Sequence, residues 1–325
     1  MKVASCLAAA LVVAVGSAGG AVQAVKVPSG FEVQTHIRGL DAPTAMAWGP
    51  DGALHLTQEG GQVVRVDPKT RRPKTILRGF RTPLGLTWHQ GVLFVSAQGS
   101  LWRVTRGQRR AIVKNLPFGR HQQDNVVSHR GRLYFGSGST CDACREKSGY
   151  SATILSVGPT GRGLRVVARG LRNPYGLTVD PVTGRLYASV NGQDELGDGE
   201  PAETIVEVRQ GRDFGWPRCW PSYRTKRMRG SCRGVTRPVA FLEPHSAAGG
   251  MAFWNGALYV AEWGEYLKHD HGRKLTRVLL RAGRPAAVST FATGFSHPLA
   301  VITDRDGGLL VADHGRGVVY RITKR

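Results

Sequence analysis

Six short turns hold the residues of this chain that could do chemistry, each just ahead of an apolar run. They carry Asp41, Arg81, His121, Arg172 with Asn173, His245 and His297. One polar residue in one such turn is ordinarily a solvated cap. Three histidines in equivalent turns are a different matter, because imidazole changes charge near neutral pH. A long acidic loop, NGQDELGDGEPAE from Asn191 to Glu203, gathers carboxylates in a chain whose formal charge is +22. Oxygen donors massed against that background suit a hard cation or a negative pocket rim. Four cysteines beyond the N-terminal region, Cys141, Cys144, Cys219 and Cys232, complete the inventory.

The elements that must position these residues repeat. A Gly-x-Leu doublet recurs at Gly52, Gly91, Gly131, Gly184 and Gly256, and as Gly308-Leu309-Leu310 without the spacer. The first two intervals are 39 and 40 residues, and the later ones, 53, 72 and 52, are lengthened by insertions. A turn and an apolar strand precede each doublet, and a third strand follows: QVVRV, LWRV, TILSV, TIVEV, KLTRV and VVYRI. Six antiparallel meanders of this size predict an all-β, six-bladed β-propeller of four-stranded blades, since each blade buries its faces only against its neighbours. A β-sandwich rarely shows sixfold repetition. Leu54, Leu93, Leu133, Leu186, Leu258 and Leu310 are expected at equivalent second-strand positions. Alternating strand direction then puts the lead-in turn and the loop joining strands two and three on one face of every blade. The histidines, Arg172, the acidic loop and the Cys141–Cys144 loop therefore converge on one mouth.

The N-terminus sets the context. Lys2 precedes an apolar run to Val15, and small residues end at Ala24, the pattern of a secretory leader over residues 1–24. The run is shorter than the roughly 20 residues a spanning helix needs, so residues 25–325 are expected as one exported propeller with no membrane span. An even cysteine count in an exported chain points to two disulfides, most simply Cys141–Cys144 and Cys219–Cys232, with zinc at Cys141-Asp-Ala-Cys144 as the competing reading. Arginines scattered along the whole chain do not form the clustered footprint of a nucleic-acid binder.

With these residues in order, the sequence resembles the glucose/sorbosone dehydrogenases. The likeness rests on GRHQQDNVV, the Cys-x-x-Cys loop after GSGST, GLRNPYGL, ASVNGQDELGD, RQGRDFGWP and the closing HPLAVITDRDGGLLVADHGRGVVYRI, within the sorbosone-dehydrogenase-like branch. It implies a soluble six-bladed propeller using pyrroloquinoline quinone (PQQ) and Ca2+. It implies His121 as the general base that takes the sugar hydroxyl proton, with a pH limb near the ordinary imidazole pKa of about 6.5. Arg172 and Asn173 match the pair beside the reactive quinone carbonyl, and Lys274 a partner of a PQQ carboxylate. Gly192 and Gln193 match the two backbone carbonyls that hold calcium. His297 stands where the family usually has an arginine clamp. Glu203-Thr204 replaces its usual acidic pair, and Gln193 a frequent proline.

The expected activity is oxidation of an aldose, or a related aldehyde hydrate, with electrons passing to an external acceptor. No haem-attachment Cys-x-x-Cys-His is present, because Arg145 follows Cys144. Two other classes compete. A propeller binding module that had lost the cofactor is suggested by His297. A metal-dependent lactonase would need carboxylates converging on the channel, where the turns offer Asp41 and Asp124.

Overall fold

The computed structural model describes residues 24–265, 271–281 and 284–325, so the expected leader lies outside it except for Ala24. Six sheets follow one another around a ring. The first blade is Pro43–Trp48, Leu54–Gln58, Gln62–Val66 and Pro73–Leu77. The second is Gly85–His89, Val92–Ala97, Ser100–Thr105 and Gln108–Val113. The third, Gln123–His129, Arg132–Ser137, Thr153–Val157 and Arg165–Arg169, gains a parallel edge from Arg212–Asp213. The fourth is Asn173–Val179, Leu186–Asn191, Glu203–Val208 and Ala240–Leu242. Its last two strands are separated by an insertion holding the hairpin Cys219–Ser222 and Arg227–Gly230. The fifth is Ala248–Trp254, Ala257–Glu262, Lys274–Arg281 and Arg284–Ala292. The sixth is Pro298–Thr303, Leu309–Asp313 and Val318–Lys324, and it borrows its fourth strand, Phe31–Ile37, from the start of the domain. That antiparallel pairing closes the ring and removes two sheet edges at once.

One apolar cluster lies at each of the six blade-to-blade interfaces. Second strands such as Leu54–Gln58 and Ala257–Glu262 are buried along their whole length, because a neighbouring blade covers each face. The outermost Pro73–Leu77 alternates half-buried with exposed. Leu54, Leu93, Leu133, Leu186 and Leu258 all point into the cluster shared with the preceding blade. In the sixth blade that position belongs to Leu309, paired with Thr303, and not to Leu310 as expected. The motif there is Gly307-Gly308-Leu309 with its spacer intact. Because side chains alternate with period two, the one-residue shift turns Leu310 toward the first blade instead. Truncating a fully buried member such as Leu133 to alanine should cost about 2–5 kcal/mol.

Inner strands crowd the axis. A Cβ on Gly176 would lie 2.2 Å from the Gly249 carbonyl oxygen, so only glycine fits. Five of the six inner strands also break register one or two residues after they begin, among them Gln123/Val126 and Pro174/Leu177. Such bulges re-aim side chains at the rim of a barrel-like opening. Both expected disulfides, Cys141–Cys144 and Cys219–Cys232, are formed.

Candidate active site

A cavity of about 830 Å³ opens at the mouth, walled by Arg120, His121, Arg172, Asn173, Asn191, Gly192, Asp194, Asp198, Glu203, His245, Ala247, Trp263, Gly264 and Glu265. The lead-in turns of the third, fourth and fifth blades supply the first group. The acidic loop and the fifth blade's strand-two-to-three loop supply the rest. Four of the expected site residues, His121, Arg172, Asn173 and Gly192, thus share one wall.

His121 is the most defined of them. Its backbone N–H donates to the Ser139 carbonyl, 3.0 Å away, and its Nδ1 lies 3.0 Å from Ser139 Oγ. The single hydroxyl proton of Ser139 goes to the Cys141 carbonyl at 2.7 Å. Ser139 Oγ therefore accepts from Nδ1–H, and the lone pair of the ring is left on Nε2. Gly138 makes the approach possible: a Cβ there would sit 2.4 Å from His121 Cβ and 2.9 Å from Asn173 Oδ1. Burial, reinforced by Arg172 and Arg120, lowers the imidazole pKa to about 3. The resting histidine is neutral through the neutral range, and the limb expected near 6.5 moves with it.

Arg172 is buried, 3% exposed, and doubly tied. Its Nε donates to the Asp142 carbonyl at 3.1 Å, and Nη2 meets the Asp142 carboxylate and, at 3.1 Å, Asp194 Oδ2. Arg120 reaches the same two carboxylates. Asp194 N–H in turn donates to both Asp142 oxygens, at 3.1 and 3.2 Å. Burial works to raise the Asp142 carboxyl, but the Asp194 N–H and Arg172 hold it below the usual carboxylate range. Asp142 sits between the bridged cysteines, so the disulfide loop presents a fixed anion to Arg172. Neither Ser139 nor Asp142 was anticipated from sequence. Asp142 had one available signal, its place inside the Cys-x-x-Cys loop. Ser139, 18 positions from His121, had none.

The remaining expected residues stand elsewhere. Gln193 is buried beside the wall against the small apolar cleft formed with Trp216, Trp220 and Pro221. Lys274 is not a wall residue; its Nζ lies 2.5 Å from Glu243 and 3.4 Å from Glu262. Burial pushes Glu262 up to about 7 although Lys274 opposes it. His297 stacks on Trp263, ring centroids 4.0 Å apart, and its Nδ1 meets the Trp263 carbonyl at 3.0 Å. Glu203, buried and hydrogen-bonded by Gly192 N–H at 2.6 Å, is pushed by burial up to about 8.

Asn173 Oδ1, Asn191 Oδ1 and Glu265 Oε2, on wall residues, and Gln193 Oε1 beside the wall are buried acceptors with no donor among the described residues. A buried acceptor without a donor costs about 1–3 kcal/mol, so each of these oxygens would gain from a cation or a donor brought against it. Asp41 is exposed, and burial raises Asp124 well above the carboxylate range. Neither lines this cavity.

The sequence pattern of the Glucose / Sorbosone dehydrogenase family matches residues 156–320. An uncharacterized protein of Borreliella burgdorferi is 24% identical over 92% of this chain and 90% of its own length. Among solved structures, a Trichoderma reesei carbohydrate-active enzyme of family AA12 superposes with a TM-score of 0.83 at 15% identity, over 94% of this chain and 98% of its own. The holo PQQ domain of a pyranose dehydrogenase from Coprinopsis cinerea gives 0.78 at 19%, covering 93% and 97%. The PQQ-bound aldose sugar dehydrogenase of Streptomyces coelicolor gives 0.73 at 20%, covering 92% and 100%. At these identities the structural likeness is one of fold.

Proposed function

The chain belongs to the glucose/sorbosone dehydrogenase family, and from that premise we propose that it is an exported PQQ- and Ca2+-dependent dehydrogenase oxidising an aldose or related aldehyde hydrate. The observation that carries the reading is the fixed tautomer of His121. That leaves the lone pair on Nε2 of a residue that shares the cavity wall with Arg172 and Asn173. Bound at the mouth, PQQ would supply a two-electron acceptor and calcium the positive charge that polarises it. His121 Nε2 would take the proton of the substrate hydroxyl, and the buried Arg172 and the Asn173 amide would bind and orient the cofactor's polar edge. The Gly192 and Gln193 carbonyls would hold the calcium, next to amide and carboxylate oxygens that lack protein donors. Any anion brought beside Arg172 offsets its charge and raises the His121 pKa, so ligation strengthens the base.

Lys274 and His297 remain in the proposal as cofactor partners, with weakened pull. Lys274 is shared between two carboxylates, and His297, lowered first by burial, is neutral near pH 7. The same pairing favours a second reading, a propeller binding module without PQQ, because the cations that would meet an anionic cofactor are already partnered. Reconstitution separates the two. The purified protein with PQQ and Ca2+ should reduce a redox dye in the presence of aldoses, and calorimetry should show stoichiometric PQQ binding. Absence of PQQ binding leaves the binding-module reading.

A further inference from the structure

A second cavity, of about 460 Å³, lies on the same face and is lined by Phe80, Arg81, Gln98, Trp102, Asn115 and Phe118 among others. Its elements are the second blade's lead-in turn, the loop joining that blade's second and third strands, and the run that leads from its fourth strand to His121. That run serves both cavities. Asn115 and Phe118 face the outer one, while Arg120 and His121 face the mouth. Only Gly119 separates Phe118 from Arg120, at most about 7 Å of extended backbone from one Cα to the other.

The outer cavity is built rigidly. Gln98 N–H donates to the Arg81 carbonyl at 2.9 Å, and Leu116 N–H to the Gly99 carbonyl at 3.1 Å. The Gln123 amide bridges Gly99 N–H at 2.6 Å and the Pro117 carbonyl at 2.8 Å. Phe118 is 44% exposed, yet its ring rests on Gly99, where a Cβ would lie 3.3 Å from Cε1. The Arg81 guanidinium stands 5.6 Å from the same ring centroid. Phe80 is 5.9 Å from Trp102, edge to face. Among the described residues no acid, histidine or cysteine lines this cavity, whose lining is apolar rings, amides and a guanidinium, groups suited to binding.

We propose that this cavity is a glycan subsite, holding a sugar residue of an oligosaccharide whose reducing end enters the mouth. A pyranose presents an apolar C–H face that stacks on an aromatic ring, and hydroxyls at its rim that pair with amides and guanidinium. Phe118 supplies the first kind of surface, because the Arg109 guanidinium already lies 5.2 Å from the ring centroids of both Trp102 and Phe80; Gln98, Asn115 and Arg81 supply the second. The proposal rests on the dehydrogenase reading for the identity of the mouth, and adds that the substrate is an oligosaccharide.

Two measurements test it. Dye reduction by the PQQ- and Ca2+-reconstituted protein is followed with glucose, maltose, maltotriose, cellobiose and cellotriose. At least one trisaccharide should show a KM about tenfold below that of glucose, the return expected from one added stacking contact with its hydrogen bonds. Phe118→Ala should remove that advantage and leave glucose kcat/KM unchanged, and Phe118→Trp should restore it. Calorimetry on the protein without cofactor, with maltotriose and cellotriose as probes, should show binding that Phe118→Ala abolishes. Equal KM along both series, or a Phe118→Ala effect of the same size on glucose, overturns the subsite. So does failure of both trisaccharides to bind. If no sugar is oxidised, calorimetry decides alone: Phe118-dependent trisaccharide binding upholds the subsite while the dehydrogenase reading falls.

Discussion

The two disulfide loops show how one covalent device serves two ends. Cys141–Cys144 closes a tight loop in the third blade that turns inward, setting Asp142 against Arg172 and the Cys141 carbonyl against Ser139. Cys219–Cys232 closes a longer loop in the fourth blade's insertion, away from the cavity wall. That insertion braces the far end of the acidic loop. Ser222 Oγ and Tyr223 N–H both donate to Glu200, and Ala202 N–H to the Pro221 carbonyl at 2.9 Å. The inner loop thus fixes a charge against the cavity wall, whereas the outer one fixes backbone. Perturbing the first should register in turnover, and perturbing the second in stability.

The sharpest way to break that contrast is at Arg172. Arg172→Ala removes the buried guanidinium from the wall and leaves Asp142 and Asp194 with the exposed Arg120 as their shared cation. Steady-state kinetics of the reconstituted variant should show a loss of about a hundredfold or more in kcat, the scale of a lost oxyanion donor. Asp142→Asn should lower kcat by a smaller factor in the same assay. If both variants lose only stability, the inner loop is structural like the outer one.

Next in size is the outer bridge. Replacing Cys219 and Cys232 by serine opens a 13-residue separation, so chemical denaturation should report a loss of about 3 kcal/mol. The kcat of the reconstituted protein should be unchanged. A matching fall in kcat would tie the insertion to the site.

The smallest effect is a pH dependence. Glu203 and Glu262 are raised by burial from an ordinary 4.5 to about 8 and about 7. Between those limits the folded state holds protons that the unfolded state has released. Stability should therefore fall as pH rises from about 5 to 8. His121, lowered to about 3, acts in the opposite direction at lower pH, costing stability as pH falls from 6.5 toward 3. Thermal denaturation of Glu262→Gln should show a flatter alkaline limb than the wild type. An unchanged limb would mean that this carboxyl is already ionised near pH 5.

Much of this was legible in the residues. Gly-x-Leu doublets near 40-residue spacing reveal the blades, because a second strand buried on both faces must be an apolar run after a tight turn. Strand alternation alone then gathers His121, Arg172, Asn173 and Gly192 at one mouth. What stayed hidden depended on tertiary pairing. Phe31–Ile37 looks like any edge strand, and its partner lies some 290 residues away in Val318–Lys324. The adjacent leucines Leu309 and Leu310 satisfy the doublet equally well, and only the register decides which faces the fifth blade. Lys274 was expected toward the mouth as a cofactor partner. Its ion pairs to Glu243 and Glu262 come from a loop and a neighbouring strand that no local motif links to it.

The account stands on His121 as a base held in one tautomer. The direct test is His121→Gln, reconstituted with PQQ and Ca2+, with cofactor binding measured by calorimetry and turnover by dye reduction on the aldose that the wild type oxidises best. Glutamine keeps a polar side chain toward Ser139 and removes the basic Nε2. The account predicts near-normal PQQ affinity and a kcat lowered at least about a hundredfold, within the usual range for a lost general base. Near-wild-type turnover in that variant, with PQQ bound, would contradict it.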